Sequence, residues 1–176
     1  SKQQQKYMFT LAGERIIGMK EETYQNAAMT RGIEMEAEAR SLYEMLNDVS
    51  VEQVGLCYPD DKKLFAASPD GLVGKDGLVE IKCPQPAEHI RVLTGGDIKR
   101  NYLLQMHWQM ACTGREWCDF VSFNPALPFE MQMHRQRVEQ DDKLQDEISK
   151  AVTAFLADVD ETAKKLIETY QKKEAA

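Results

Sequence analysis

The chain has 176 residues, of which 43% are hydrophobic and 29% are charged, a composition typical of a globular protein with one core. No apolar run approaches the roughly 20 residues that span a bilayer, so we expect no membrane segment and no signal peptide. The four cysteines form no C-x-x-C pair, which favours a reducing cytoplasm over a secreted disulfide framework. A net charge of -7 argues against a protein that coats nucleic acid through its overall charge, although a local basic patch or channel remains compatible with it.

The first half of the chain predicts one helix followed by antiparallel strands. Apolar residues spaced mostly three and four apart predict an amphipathic helix over residues 23–47. Two segments rich in strand-forming residues are separated by Pro59-Asp60-Asp61-Lys62, whose residues favour a turn. A second turn, Gly74-Lys75-Asp76-Gly77, precedes a further strand. The strands predicted in this half cover residues 51–58, 64–67 and 78–82.

The second half predicts another helix, two more strands and a long terminal helix. Asp97 is expected to cap a helix over residues 98–113, and Gly114 is expected to end it. Apolar residues then recur at helical spacing in a long acidic segment, which can break once near residues 158–160. The predicted strands cover residues 117–123 and 130–138, and the terminal helix covers about residues 139–173.

The stretch SPDGLVGKDGLVEIKCP, residues 68–84, combines a hairpin turn with two acids and a lysine. Residues two apart in a strand share a face, so Glu80 and Lys82 project together, and the turn brings Asp70 level with about Glu80 or Ile81. Two neighbouring carboxylates repel each other unless a cation lies between them, and an oxygen-rich site, to which the Ile81 carbonyl can add a ligand, suits Mg²⁺. Lys82 can orient or deprotonate an attacking water, so the pattern predicts hydrolysis of a phosphodiester.

The same residues also fit a simpler interpretation. Asp-Gly and Gly-x-x-Gly are common in turns, and Glu80 and Lys82 on one strand face can form an exposed ion pair worth about 0–1 kcal/mol. Spacing alone leaves both interpretations open, because the pattern is short.

Four stretches of the chain together resemble one family of nucleases. They are RGIEMEAEARSLYE, SPDGLVGKDGLVEIKCP, LTGGDIK and YLLQMHWQM, in that order along the chain. They resemble the PD-(D/E)XK nuclease superfamily, and specifically the lambda exonuclease-like phage recombination nucleases. The resemblance covers roughly residues 31–138 and implies an α/β fold with a restriction-endonuclease-like core, in which a central mixed β-sheet is flanked by helices and followed by a long C-terminal helix. It also implies that residues 1–176 form a single nuclease domain with its core at about residues 23–138.

The resemblance assigns a role to each residue that matches the family motif. Asp70 and Glu80 would be the metal-binding carboxylates, assisted by the Ile81 carbonyl, and Lys82 would be the catalytic lysine. Gln105 would support the lysine and the attacked phosphate. Glu36 would be the additional acid that completes the ligands of a second ion.

The function implied is that of a Mg²⁺-dependent deoxyribonuclease, with Mn²⁺ able to substitute and two ions bound. The resemblance favours a 5′-to-3′ double-strand DNA exonuclease of phage-type homologous recombination. The alternatives are an endonuclease of the same superfamily, of repair or restriction type, and a DNA-binding module that does not cut.

The resemblance also implies partners. These are double-stranded DNA ends, a single-strand annealing protein and other copies of the chain in a trimeric ring, within the cytoplasm of a bacterial host and encoded by a phage or prophage. Such a ring would let cations line a central hole while acids face solvent. The cations that are candidates for DNA contact are Arg31, Arg91, Lys99, Arg100 and Arg115.

Overall fold

The computed structural model describes residues 1–20, 27–62 and 64–170, with the backbone alone for residues 27–31. The helices are α1 (Lys2–Ile17), α2 (Ala27–Asn47), α3 (Pro86–Leu93), α4 (Arg100–Thr113) and α5 (Asp142–Tyr170). The strands are β1 (Val51–Glu52), β2 (Gly71–Val73), β3 (Gly77–Lys82), β4 (Trp117–Phe123) and β5 (Met133–Glu139). None of the helices in these described ranges is both long and apolar enough to cross a membrane.

The five strands form one mixed sheet in the order β1-β2-β3-β4-β5. Every neighbouring pair is antiparallel except β3 and β4, which run parallel with Gly77 opposite Trp117 and Lys82 opposite Ser122. A parallel pair cannot be joined by a tight turn, so the chain between β3 and β4 must cross over, and it does so through α3 and α4. The predicted α/β class with a mixed sheet and flanking helices is confirmed.

Helices cover both faces of the sheet around β3 and β4. On one face, Tyr43 of α2 packs with Val79 and Ile81 of β3 in one apolar cluster. On the other face, Leu78 packs with Met106 of α4 in a second cluster. Because successive strand residues point to opposite faces, β3 is buried on both sides, and this places Glu80, on the face of α4, inside the protein.

The contacts of the chain group its described residues into two compact units, one within residues 25–145 and the other within Ser1–Tyr24 and Asp146–Ala176. The first contains the sheet. The second is built by α1 and most of α5, where Ala12 is buried with Val159 and Ala163 and Ser1 caps α1 by accepting from the Gln4 N–H. The single nuclease domain over residues 1–176 stays a prediction.

Three strand and helix predictions are confirmed with small changes. β4 covers the predicted residues 117–123, and β3 contains the predicted residues 78–82. The helix predicted over residues 23–47 is present from Ala27 onward, while residues 23–26 lie outside the described part. α5 extends without a break from Asp142 to Tyr170, so the break near residues 158–160 is wrong within the described chain.

Other boundaries differ from the prediction. The hairpin predicted over residues 51–67 is reduced to β1 and one bridge between Cys57 and Ala67. α4 begins at Arg100 with Lys99 as its N-cap, so Asp97 does not cap it. β5 begins at Met133 because a 3₁₀ turn, Phe129–Met131, occupies the start of the predicted strand. The helices α1 and α3 were not predicted.

Candidate active site

The hairpin of β2 and β3 places Asp70 beside Glu80, as the spacing predicts. Gly71, the first residue of β2, pairs with Val79, so Asp70, which directly precedes Gly71, lies beside the next residue of β3, Glu80. The Ile81 N–H donates to Asp70 Oδ2 at 2.6 Å. This hydrogen bond holds the aspartate at the end of β3 where Glu80 and Lys82 project.

Glu80 is fully buried and receives hydrogen bonds on both carboxylate oxygens. Its Oε1 accepts from Lys82 Nζ and from Gln105 Nε2, the latter at 2.7 Å. Its Oε2 accepts from Gln109 Nε2 at 2.6 Å. A buried carboxylate is stable only when it is paired and hydrogen-bonded, and α4 and β3 together provide that environment.

Lys82 lies at the more open side of this group. Its side chain is 24% exposed, and its ammonium lies 5.0 Å from the centroid of the Tyr102 ring, a distance at which a cation and an aromatic face attract each other. Burial lowers the pKa of Lys82. The charge of Glu80, the hydrogen bond to Glu80 and the charge of Asp70 together raise the pKa by more, so it lies above its ordinary value. These neighbours therefore favour the charged ammonium form of Lys82.

The electrostatics of Asp70 fit a cation site. Burial, the charge of Glu80 and the charge of Glu36 raise the pKa of Asp70 to about 7, against the opposing hydrogen bond from Ile81 and the charge of Lys82. Two close carboxylates of this kind favour a bound cation, and their hard oxygen atoms suit Mg²⁺ or a similar divalent ion. The residues present therefore fit the metal that the family resemblance implies.

Glu36 is not gathered with the other two acids. Its carboxylate forms an ion pair with Arg40, one turn along α2. Among the described residues no three His, Cys, Asp or Glu side chains converge as a metal site. Glu36 acts on Asp70 through its charge, and its role at a second ion stays a prediction, as does the role of the Ile81 carbonyl.

The candidate DNA-binding cations differ in what they contact. Arg91 and Lys99 both pair with Glu88, each at 3.0 Å. Arg115 donates to the carbonyls of Gly74 and Gly77 and so braces the hairpin turn. Arg100 is exposed at the start of α4, and the side chain of Arg31 lies outside the described residues.

Two further residues of α4 belong to this site although the sequence did not single them out as functional. Gln109 hydrogen-bonds Glu80, and the Trp108 indole N–H donates to the Ala66 carbonyl at 3.2 Å, ahead of Asp70. Both lie in the stretch YLLQMHWQM that carries the family resemblance, and the spacing of four between Gln105 and Gln109 puts these two on one face of a helix. That spacing is equally typical of a solvated polar face.

Comparisons with known proteins give a consistent result. Among solved structures, an alkaline exonuclease (LHK-Exo) from Laribacter hongkongensis is 45% identical, with a TM-score of 0.88, over 96% of this chain and 85% of that one. The same exonuclease in complex with dAMP matches over the same shares of both chains with a TM-score of 0.89. A phage-related exonuclease from Haemophilus somnus, 16% identical with a TM-score of 0.68 over 92% of this chain and 82% of that one, shares the fold. No curated protein matches the chain.

The family model that matches describes a YqaJ-like viral recombinase domain, and it matches residues 1–116. This match and the 45% identity to an exonuclease confirm the predicted relation to the lambda exonuclease-like recombination nucleases and the predicted enzyme class. The chain belongs to the family of YqaJ-like viral recombinase domains.

Proposed function

We propose that the chain is a divalent-cation-dependent exonuclease that hydrolyses DNA phosphodiester bonds, with Asp70, Glu80, Lys82 and Gln105 as its catalytic group. The observation that carries the proposal is the fully buried Glu80, held by three donors beside Asp70. A buried pair of acids costs stability unless a cation offsets its charge. Groups with such a cost are often found at functional sites. The 45% identity to an alkaline exonuclease supports DNA as the substrate class.

Each residue has a distinct role in this proposal. Asp70 and Glu80, with the Ile81 carbonyl, hold Mg²⁺, for which Mn²⁺ substitutes, and Glu36 contributes to a second ion after releasing Arg40. A divalent ion at this site supplies Lewis-acid stabilisation of charge on the phosphate. Lys82 orients the attacking water and offsets negative charge that develops on the phosphate, and Gln105 holds the Glu80 carboxylate in place.

We further propose that the substrate is the end of double-stranded DNA and that cleavage proceeds in the 5′-to-3′ direction. Membership of a viral recombinase family supports this choice over a restriction or repair endonuclease. The 3′ single strand left behind would be passed to an annealing protein in the cytoplasm of a bacterial host, where a phage or prophage encodes the enzyme.

The direct test digests linear duplex labelled at one end, with Mg²⁺, with Mn²⁺ and with a chelator. We expect metal-dependent release of nucleotides from the 5′ end, and faster release from a 5′-phosphate than from a 5′-hydroxyl. Release from the 3′ end would contradict the polarity. Equal digestion with and without the chelator would contradict an active site that depends on a divalent cation.

Covalently closed circular duplex separates this function from its two rivals. An exonuclease leaves the closed circle intact while it degrades the linear form, whereas an endonuclease nicks the circle. A DNA-binding module that does not cut would leave both substrates intact while still binding them. Nicking of the closed circle would therefore contradict the exonuclease and favour the endonuclease.

A trimeric ring is part of the proposal, because an acidic chain can hold DNA if cations of several copies line one hole. Residues such as Arg100 would then act together rather than singly. Light scattering during gel filtration measures the mass of the assembly, and a monomer at working concentration would contradict the ring.

A further inference from the structure

We propose that Gln109 is a positioning residue for the divalent cation, because it links the two acids that would hold the ion. This inference rests on the proposed function and adds a residue to it. Gln109 touches neither substrate nor cation in the proposal. It acts through Glu80 and through the backbone that leads to Asp70.

The first link is to Glu80. Gln109 is 2% exposed, and its Nε2 donates to Glu80 Oε2 at 2.6 Å. The same Nε2 lies 3.4 Å from the Ser68 carbonyl oxygen. Both neighbours are acceptors, so the opposite amide orientation would set oxygen against oxygen, and the hydrogen-bond network fixes the orientation shown.

The second link is to Asp70. Consecutive residues of α4 hold the segment that enters the site, with Trp108 donating to the Ala66 carbonyl and Gln109 to the Ser68 carbonyl. Ser68 precedes Asp70 by two residues. One helix therefore contacts both the Glu80 carboxylate and the segment that leads to Asp70.

Counting the donors around Glu80 shows what Gln109 controls. An ionised carboxylate offers about four acceptor positions, two on each oxygen. Among the residues that the structure describes, Oε1 accepts from Lys82 and Gln105, whereas Oε2 accepts from Gln109 alone. One position therefore remains on Oε2, and the Gln109 amide determines which one it is. Residues that orient metal ligands in this way commonly change metal affinity or activity about 10–100-fold when they are replaced.

The test replaces Gln109 by methionine, which has a similar length and no hydrogen-bond donor. Titration calorimetry with MgCl₂ and with MnCl₂, on the full chain without DNA, measures the affinity directly. We expect Gln109→Met to bind both ions about tenfold more weakly or worse. We also expect its exonuclease rate to recover toward that of the wild type as Mg²⁺ is raised, because the variant keeps Asp70, Glu80 and Lys82.

The matched control is Gln132→Met. Gln132 is partly buried and, like Gln109, donates from its side-chain amide to a backbone carbonyl, in its case those of Pro125 at 3.1 Å and Leu127 at 3.0 Å, but it contacts neither acid. Both variants should lose thermal stability, whereas only Gln109→Met should lose cation affinity. Gln109→Asn, which keeps an amide but shortens its reach, supplies a second variant that should shift the affinity in the same direction.

The outcomes separate this inference from the function on which it rests. A wild-type chain that binds neither ion contradicts the proposed cation site itself. A wild-type chain that binds the ions as tightly as folded Gln109→Met or Gln109→Asn overturns the positioning role alone. Equal loss of affinity in Gln109→Met and Gln132→Met also overturns it, because general loosening of the fold would then be the cause.

Discussion

Glu80 is fully buried, on a strand that helices cover on both faces. Removing a carboxylate from water costs several kcal/mol, and hydrogen bonds from Lys82, Gln105 and Gln109 offset only part of this cost. An apolar residue of similar volume would pack there with no such cost. The arrangement is therefore explained by chemistry at this carboxylate better than by stability.

The pH dependence of stability follows from the neighbouring Asp70. Burial and the charge of Glu80 raise its pKa from 3.8 to about 7. Because the pKa in the folded state lies above that of the unfolded chain, the contribution of Asp70 to stability is lost as the pH rises from about 4 through 7. A cation at the two acids offsets the loss. Mg²⁺ should therefore raise the melting temperature more at about pH 8 than at about pH 5.5.

Differential scanning fluorimetry at both pH values, with Mg²⁺ or a chelator, measures this difference. Asp70→Asn is the control, since it carries no charge at either pH and should remove most of the dependence on pH. An equal stabilisation by Mg²⁺ at both pH values in the wild type would contradict a cation site at Asp70.

The sequence predicted the grouping of Asp70, Glu80 and Lys82 because short-range rules govern it. Period-two alternation and one turn place all three side chains within a hairpin. Gln109 was not predicted as functional, because its contact with Glu80 depends on where α4 lies against the sheet. The pairing of Glu36 with Arg40 follows an ordinary spacing of four, and an expected role at a metal hid this simpler contact.

At the scale of elements, boundaries set by local chemistry were predicted well, and those set by packing were not. Gly114 ends α4 in the left-handed conformation with φ 67°, as predicted. Ile98 was expected inside the same helix, but it packs in the apolar cluster of α4 and β3 ahead of the first turn. α3 was not predicted, although Pro86 occupies its first turn, where proline has no hydrogen bond to lose.

The start of β3 gives a test of an element. A methyl group at Gly77 would overlap the ring of Trp117, and that ring is held on its own strand with the Arg137 guanidinium 3.5 Å from its centroid. We expect Gly77→Ala to lower the free energy of unfolding by about 1–3 kcal/mol, because the crowded ring must move. Urea denaturation measures the change.

Gly13→Ala is the opposite control for that experiment. Gly13 lies within α1, where an added methyl group meets no atom within 4 Å. Alanine has the better helix propensity, so this variant should stabilise the fold by about 0.5–1 kcal/mol. Destabilisation by both variants to the same extent would contradict the crowding at Trp117.

At the scale of the whole molecule, the order of the strands could not be read from local patterns. The residues of β3 and β4 look like any buried strands, and their parallel pairing depends on the crossover through α3 and α4. Only the family resemblance predicted a mixed sheet. The sequence also cannot show which charged side chains are free to bind DNA. Arg91 and Lys99 look available in the sequence, but both pair with Glu88 in the fold.

The most direct test of the proposed active site measures cleavage of end-labelled duplex by the wild type, Lys82→Ala and Lys150→Ala, together with their binding of the same duplex. Lys150 pairs with Asp146 on the exposed surface of α5, so its variant should cleave like the wild type. Lys82→Ala should lose about a hundredfold or more of the cleavage rate while it still binds DNA. A folded Lys82→Ala protein that cleaves at the wild-type rate would contradict the catalytic role of Lys82.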